Sequence, residues 1–277
     1  MLFRSSVISE TVSRLEPGFG YCMNLQGMTC PLTIFNWGTD EQVRRFVPDL
    51  IAGKKIGMFA LTEPGGGSDP AGNMKTTAKR QGDRYRLNGS KMFITFSDEA
   101  DAGVLFAKTD PAAGHRGITA FIVEPKRFKG YRADPVQMSG LSRAFRSCAV
   151  FLDDFEVPEE NRLGNEGEGF KIAMFALDQG RYTVASGATG LIKACRDASV
   201  TYARQRQTFG VEIGQHQLVK EMIAQMESDY QAARLLWMRA GWLKNIGRRN
   251  TRETGLAKWF ATVSKLPSVK ATVPPPA

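Results

Sequence analysis

Apolar and polar positions along the chain change period twice. Up to about residue 54 the spacing is helical, and Thr39-Asp40-Glu41-Gln42 opens a short helix through Val47, with Asp40 as its cap and Pro48 just beyond its end. From residue 55 to about residue 160 the period falls toward two. "KTTAKRQGDRYRLNG" reads as two strands joined at Gln81-Gly82-Asp83, Asn88-Gly89 as a second turn, and "KMFIT" as a third strand. "AGVLFAKTD", "GITAFIVEP" and "CAVFLDDFEVP" add strands bounded by Gly, Pro and Asp.

From Gly167 the helical period returns. One long helix runs to "ARQRQ", with small residues Ala185, Gly187, Ala188 and Gly190 suited to close packing. The next spans about Gln215 to Ile246 and carries the apolar stripe Val219, Met222, Ile223, Met226, Tyr230, Ala233 and Trp237, read as bundle core. A third helix starts near Thr251 and includes Trp259 and Phe260. The prolines of "SKLPSVKATVPPPA" cannot continue it. The expected fold is α+β: a partial helical region over 1–54, a central antiparallel β domain over 55–166, an incomplete helical bundle over 167–262, and an irregular tail over 263–277.

Composition adds limits. The chain has 277 residues, 42% hydrophobic and 23% charged, enough for a sizeable core and against global disorder. No apolar run is long enough for a transmembrane helix, and nothing reads as a secretory signal, so a cytoplasmic location is expected. The four cysteines, Cys22, Cys30, Cys148 and Cys195, lack disulfide or metal spacing and read as reduced thiols. His115 and His216 are the two histidines and lie far apart, so no metal site is expected. The net charge of +9 has its densest region at Arg239, Lys244, Arg248, Arg249 and Arg252, without the aromatic interleaving of a nucleic-acid surface. A phosphorylated small molecule is the preferred partner, and nucleic acid is not expected.

The stretch Ala60-Leu61-Thr62-Glu63-Pro64-Gly65-Gly66-Gly67-Ser68-Asp69-Pro70-Ala71-Gly72 leaves an apolar run and places an acid on each side of three glycines. Turn chemistry alone explains it: glycines supply positive φ, prolines fix turns, and Ser68 and Asp69 cap local backbone. It also suits a nest of exposed N–H groups for a phosphate or a polar ring edge. The order of helices, glycine loop, β domain and two long helices bears on the choice. Together with "NGSKMFIT", "FEVPEENRLGNEGEGF", "ALDQGRYTVASGATG" and "YARQRQTFGVEIGQHQ", it resembles the acyl-CoA dehydrogenase family over residues 38 to about 262. Every position of the family's first signature is satisfied by residues 60–72.

The resemblance implies an FAD-dependent enzyme of acyl-CoA metabolism that desaturates an acyl-CoA thioester. It implies an electron-transfer protein as acceptor and a homodimer or homotetramer. Phe59, Ala60, Leu61, Thr62, Gly67 and Ser68 match the loop that lines the flavin, and Ser68 also lies near the thioester. Phe93, Ile94 and Thr95 match the family's Trp-Ile-Thr, whose ring packs on the flavin and whose Thr hydroxyl reaches N5. Phe93 replaces Trp, a smaller face without the indole N–H. Arg206, Gln207, Thr208, Phe209, His216 and Gln217 match a segment that reaches the flavin of a neighbouring subunit. Asp178 and Arg181 match a substrate-lining segment; their spacing suits an i,i+3 ion pair, which is preferred to Asp178 as the base.

No catalytic residue is assigned. In most of the family the glutamate base sits near the end of the C-terminal domain, beyond this sequence. In a minority it sits one residue before the arginine matched by Arg181, and here that residue is Gly180. Both ends read as short, so the expectation is a truncated, impaired enzyme. The alternatives are a noncatalytic flavin-binding or assembly subunit, and a flavin oxidase or monooxygenase of the same superfamily.

Overall fold

The computed structural model describes residues 2–138 and 144–263. Of the tail expected to be irregular, residues 264–277 lie outside the described residues. Contacts divide the chain into two compact units, Cys22–Gly180 in one and residues up to Tyr21 with those from Arg181 onward in the other.

In the first of these, α2 (Pro17–Asn24) ends and a π-helical turn, Leu25–Thr29, leads into α3 (Cys30–Trp37) and α4 (Asp40–Ile51). The cap of α4 is Thr39, not Asp40. Its hydroxyl accepts from Gln42 N, and the Gln42 side chain accepts from Thr39 N, so two orphan donors are met reciprocally. Pro48 lies inside the helix rather than beyond it. Phe46, Val47 and Leu50 bury the inner face through that turn, while Arg44 and Pro48 are exposed, so the carbonyl the proline leaves without a donor faces water.

The sheet has eight strands: β1 (Gly57–Ala60), β2 (Thr77–Gln81), β3 (Arg84–Thr95), β4 (Ala102–Lys108), β5 (Ile118–Val123), β6 (Tyr131–Val136), β7 (Ser147–Pro158) and β8 (Arg162–Leu163). The order is β6-β7-β3-β2-β4-β5-β8, with β1 on β4. Pairing is antiparallel except β1 with β4 and the single Thr77–Lys108 contact of β2 with β4. Alternation sorts two cores. Val104, Phe106, Ala120 and Ile122 join Ile34, Phe46, Leu50 and Ile172 on one face, whereas Leu105, Ala107, Phe121 and Val123 join Tyr85, Leu87, Val150 and Phe155 on the other.

Asn88-Gly89 is not a turn. β3 runs unbroken through it, and Asp153-Asp154 of β7 bulge opposite Asn88. The Asn88 side chain supplies the missing ladder bonds: its Oδ1 accepts from Asp154 N at 2.9 Å and its Nδ2 donates to Asp154 Oδ1 at 2.8 Å. Gly89 stands at φ 145°, where a Cβ would come within 2.6 Å of Thr76 Oγ1, so close approach as well as conformation requires glycine.

The other unit holds α1 (Leu2–Leu15), the part of α5 (Gly169–Gln205) from Arg181, a hairpin of β9 (Gln207–Thr208) and β10 (Val211–Glu212), α6 (Gln217–Asn245) and α7 (Thr251–Val263). The small residues of α5 receive α1: a Cβ on Gly190 would strike the Glu10 carbonyl oxygen, and Gly187 faces Ser13. Tyr230 of α6 donates to Glu10 at 3.0 Å. The stripe on α6 is core only from Met226 on. Met226, Tyr230, Ala233 and Trp237 are buried, but Val219 and Ile223 are half-buried and Met222 is 42% exposed. Trp237 and Ala240 pack with Tyr182, Ala185 and Ala257.

Candidate functional site

The residues expected near a ligand fall into two groups, one in each unit. The first lies where β1 leaves the sheet and β3 ends. Between Lys91 and Ile94 the register with β7 slips, so Met92 and Phe93 oppose Ala149 alone. This bulge turns Phe93 outward. Phe93 adopts φ 59° and is 54% exposed, a bulky side chain in the left-handed region with little burial in return. Beyond it Ile94 returns to the core, and Thr95 is nearly closed, its hydroxyl 3.2 Å from that of Ser147.

The glycine stretch is a folded loop. Glu63 and Gly66 exchange backbone bonds around Pro64-Gly65, and the Asp69 carboxylate accepts from Gly72 N at 2.8 Å and Asn73 Nδ2 at 3.2 Å. Both flanking acids therefore organise the loop, while Gly67 and Ser68 stay exposed. The loop is fastened to β3 by Met92 N donating to Thr62 O at 2.9 Å.

Beneath that bond lies a group the sequence reading passed over. Lys91 occupies an inward position of β3 and is 0% exposed; its Nζ meets Glu63 Oε1 at 2.9 Å and Leu61 O at 3.3 Å. Glu63 also accepts from Lys75 N at 2.6 Å and Thr76 N at 3.1 Å. Burial lowers the Lys91 pKa to about 8 although the Glu63 charge opposes it. At Glu63 burial acts upward, but the Lys91 charge and these hydrogen bonds outweigh it and hold the carboxyl below its ordinary value. A lysine at a core position of a strand, with a glutamate in the neighbouring loop, is the signal that could have identified the pair.

The structure thus gathers Thr62, Gly67, Ser68, Phe93 and Thr95 on one loop-and-strand assembly. Ala60, Leu61 and Ile94 belong to the same assembly, but their side chains are core, and only their backbone can face a ligand. Phe59 is half-buried against Phe106, ring centres 5.1 Å apart. The second group is the β9–β10 hairpin. Phe209 and Gly210 form its two-residue turn, both at positive φ, and Phe209 is 96% exposed. Arg206 O accepts from Ile213 N, Gln207 pairs with Glu212, and Thr208 Oγ1 lies 2.9 Å from His216 Nε2. His216 precedes Gln217, the first residue of α6. Asp178 is half-buried, Gly180 and Arg181 follow on α5, and a Cβ at Gly180 would meet nothing within 4 Å.

Comparison with known proteins supplies the context. Family models for the acyl-CoA dehydrogenase N-terminal, middle and C-terminal domains match residues 2–54, 58–155 and 167–265. Glutaryl-CoA dehydrogenase of Desulfococcus multivorans is 37% identical over 92% of this chain and 65% of its own length. The CarC subunit of the caffeyl-CoA reductase–Etf complex of Acetobacterium woodii is 42% identical over 81% of this chain and 59% of its own. The butyryl-CoA dehydrogenase structure from Megasphaera elsdenii superposes with a TM-score of 0.89 at 36% identity, covering 92% of this chain and 67% of that one. The chain spans less than two thirds of the length of these two curated relatives. Matches to all three domain models in order, with relatives this similar along nearly the whole sequence, place the chain in the acyl-CoA dehydrogenase family.

Proposed function

We propose that this chain binds FAD and desaturates an acyl-CoA thioester between its α and β carbons. The observation that carries the reading is Phe93: an aromatic ring held outward at φ 59°, next to the Met92 N–H that fastens a folded glycine loop to β3 and two residues before Thr95. A ring kept exposed in a costly conformation fits a planar ligand that covers it.

Bound FAD would accept the β hydride, as the cofactor's own chemistry provides. Thr62, Gly67, Ser68, Phe93 and Thr95 would hold it, with backbone of Phe59, Ala60, Leu61 and Ile94. Phe93 covers a ring face and excludes water. The Thr95 hydroxyl, steadied by Ser147, offers a hydrogen bond at the ring edge. Ser68 also serves the thioester, with Asp178 and Arg181 on α5 as further substrate contacts. Arg206, Gln207, Thr208, Phe209, His216 and Gln217 reach the flavin of a second copy in a homo-oligomer, for which the bare Phe209 at the hairpin tip is the supporting observation. The electron acceptor is an electron-transfer protein.

The test is direct. Flavin is measured by visible absorption after gel filtration. The loaded protein is then mixed anaerobically with short, branched and dicarboxyl acyl-CoA thioesters. Slow bleaching is expected with at least one of them, well below the rate a placed base would give, since no residue is assigned to take the α proton and it passes to water. A protein that retains no flavin, or flavin that none of them bleaches, would overturn the reading.

A further inference from the structure

We propose that the buried Lys91–Glu63 pair is a positioning device for the cofactor site, holding the glycine loop and the Phe93 bulge as one rigid piece before any ligand arrives. The inference rests on the flavin reading above. The pair's contacts span the whole loop. Lys91 grips its start at Leu61 O and its turn at Glu63; Glu63 in turn takes the N–H groups of Lys75 and Thr76 at its far end. All of this hangs on β3, the strand that carries Phe93 two residues later and Thr95 two beyond that. Between the anchored ends, Pro64, Gly65, Gly67, Ser68, Asp69, Gly72 and Asn73 are exposed and add little burial of their own.

Stability alone does not account for the choice of charges. Removing two ions from water costs several kcal/mol each, and an apolar pair of similar volume is often as stable or more so. An apolar pair, however, could not satisfy Leu61 O, Lys75 N and Thr76 N, so the loop would lose its fixed path. Other charged clusters, such as Arg196 with Asp197 and Glu227, are partly open to solvent and have no exposed loop to hold. Lys91 and Glu63 are positioning residues: they act through Thr62, Ser68 and Phe93, not on the reacting atoms.

The test uses the full chain, with Lys91→Met/Glu63→Gln, which removes both charges at nearly constant volume, and Glu63→Asp, which keeps both charges but shortens the reach. Thermal unfolding, amide exchange over residues 62–76 without flavin, and FAD affinity by fluorescence titration are compared with the parent. The double variant is expected to melt close to the parent and Glu63→Asp below it; both are expected to exchange faster in the loop and to bind FAD at least about tenfold more weakly, the scale of one lost buried hydrogen bond. Parental FAD affinity and loop exchange in both variants would overturn the proposal while leaving the flavin reading intact. A parent chain that binds no FAD would overturn the flavin reading itself. If the double variant does not fold, Glu63→Asp decides: parental FAD affinity there shows that the pair serves only the fold.

Discussion

Thr95 Oγ1 and Ser147 Oγ stand 3.2 Å apart across the paired ends of β3 and β7, both nearly closed to solvent. Each hydroxyl has one proton to give. When Ser147 donates to Thr95, the Thr95 proton is free to point at a ligand. Thr95→Val should weaken FAD binding or slow flavin reduction about two- to tenfold, since one hydrogen bond is worth about 0.5–1.5 kcal/mol. Ser147→Ala should act in the same direction but less. Titration and anaerobic reduction check both; parental values in Thr95→Val would remove Thr95 from the site.

Phe93 separates stability from function. A non-glycine residue in the left-handed region costs about 1–2 kcal/mol, of which glycine's larger unfolded-state entropy returns about 0.5–1. Phe93→Gly should therefore leave the melting temperature equal or slightly raised while FAD affinity falls. Phe93→Trp should keep the strain and tighten FAD. A drop in both stability and affinity for Phe93→Gly would show the ring to be a structural residue.

What the sequence could and could not disclose follows from range. Long periodic segments such as α5 and α6 were legible because helical spacing repeats over many turns. β6 was not: "YRADPV" alternates over only four residues before a proline, and lies half-exposed at the sheet edge. Asn88-Gly89 carries the strongest local turn signal, yet a contact with Asp154, sixty-six residues away, makes it part of a strand. The candidate site divides the same way. Thr62, Ser68, Phe93 and Thr95 stand in contiguous motifs. The strain at Phe93 is a dihedral angle, which residue identity does not reveal, and the Glu63–Lys91 pairing depends on how the loop folds back.

The Lys91 amine titrates at about 8 in the folded chain against an ordinary 10.5. Between those values the unfolded chain binds more protons, so this group makes stability rise with pH. Below about pH 8 its charge is carried in both states and its full penalty is present. Glu63 has the opposite sense: its contribution is present above the ordinary carboxylate value and is lost as pH falls through its lowered one. The difference in unfolding free energy between the parent and Lys91→Met should grow in the parent's favour from pH 8 to 10. Denaturant titrations at several pH values measure it; a flat difference would mean that Lys91 keeps an ordinary pKa.

Gly180 offers a gain of function. The resemblance matches its place on α5 to the alternative position of the family's catalytic carboxylate, and glycine supplies no side chain there. The site has room, since an added Cβ meets nothing within 4 Å. Glycine inside a helix is also unfavourable by about 0.5–1 kcal/mol, so Gly180→Glu should stabilise the chain slightly rather than strain it. A positioned general base contributes about 10²–10⁴-fold, and even an imperfectly placed one should speed acyl-CoA bleaching of the flavin well above the parent rate. The measurement is anaerobic stopped-flow on FAD-loaded parent, Gly180→Glu, Asp178→Asn and the double variant. Asp178→Asn is expected to raise the acyl-CoA concentration that Gly180→Glu needs for half-maximal bleaching while leaving its limiting rate within a few fold. If Asp178→Asn abolishes bleaching in the parent, Asp178 is itself the base and the assignment of α5 must be revised. If Gly180→Glu folds, binds FAD and bleaches no faster than the parent, position 180 does not face the α carbon of the substrate.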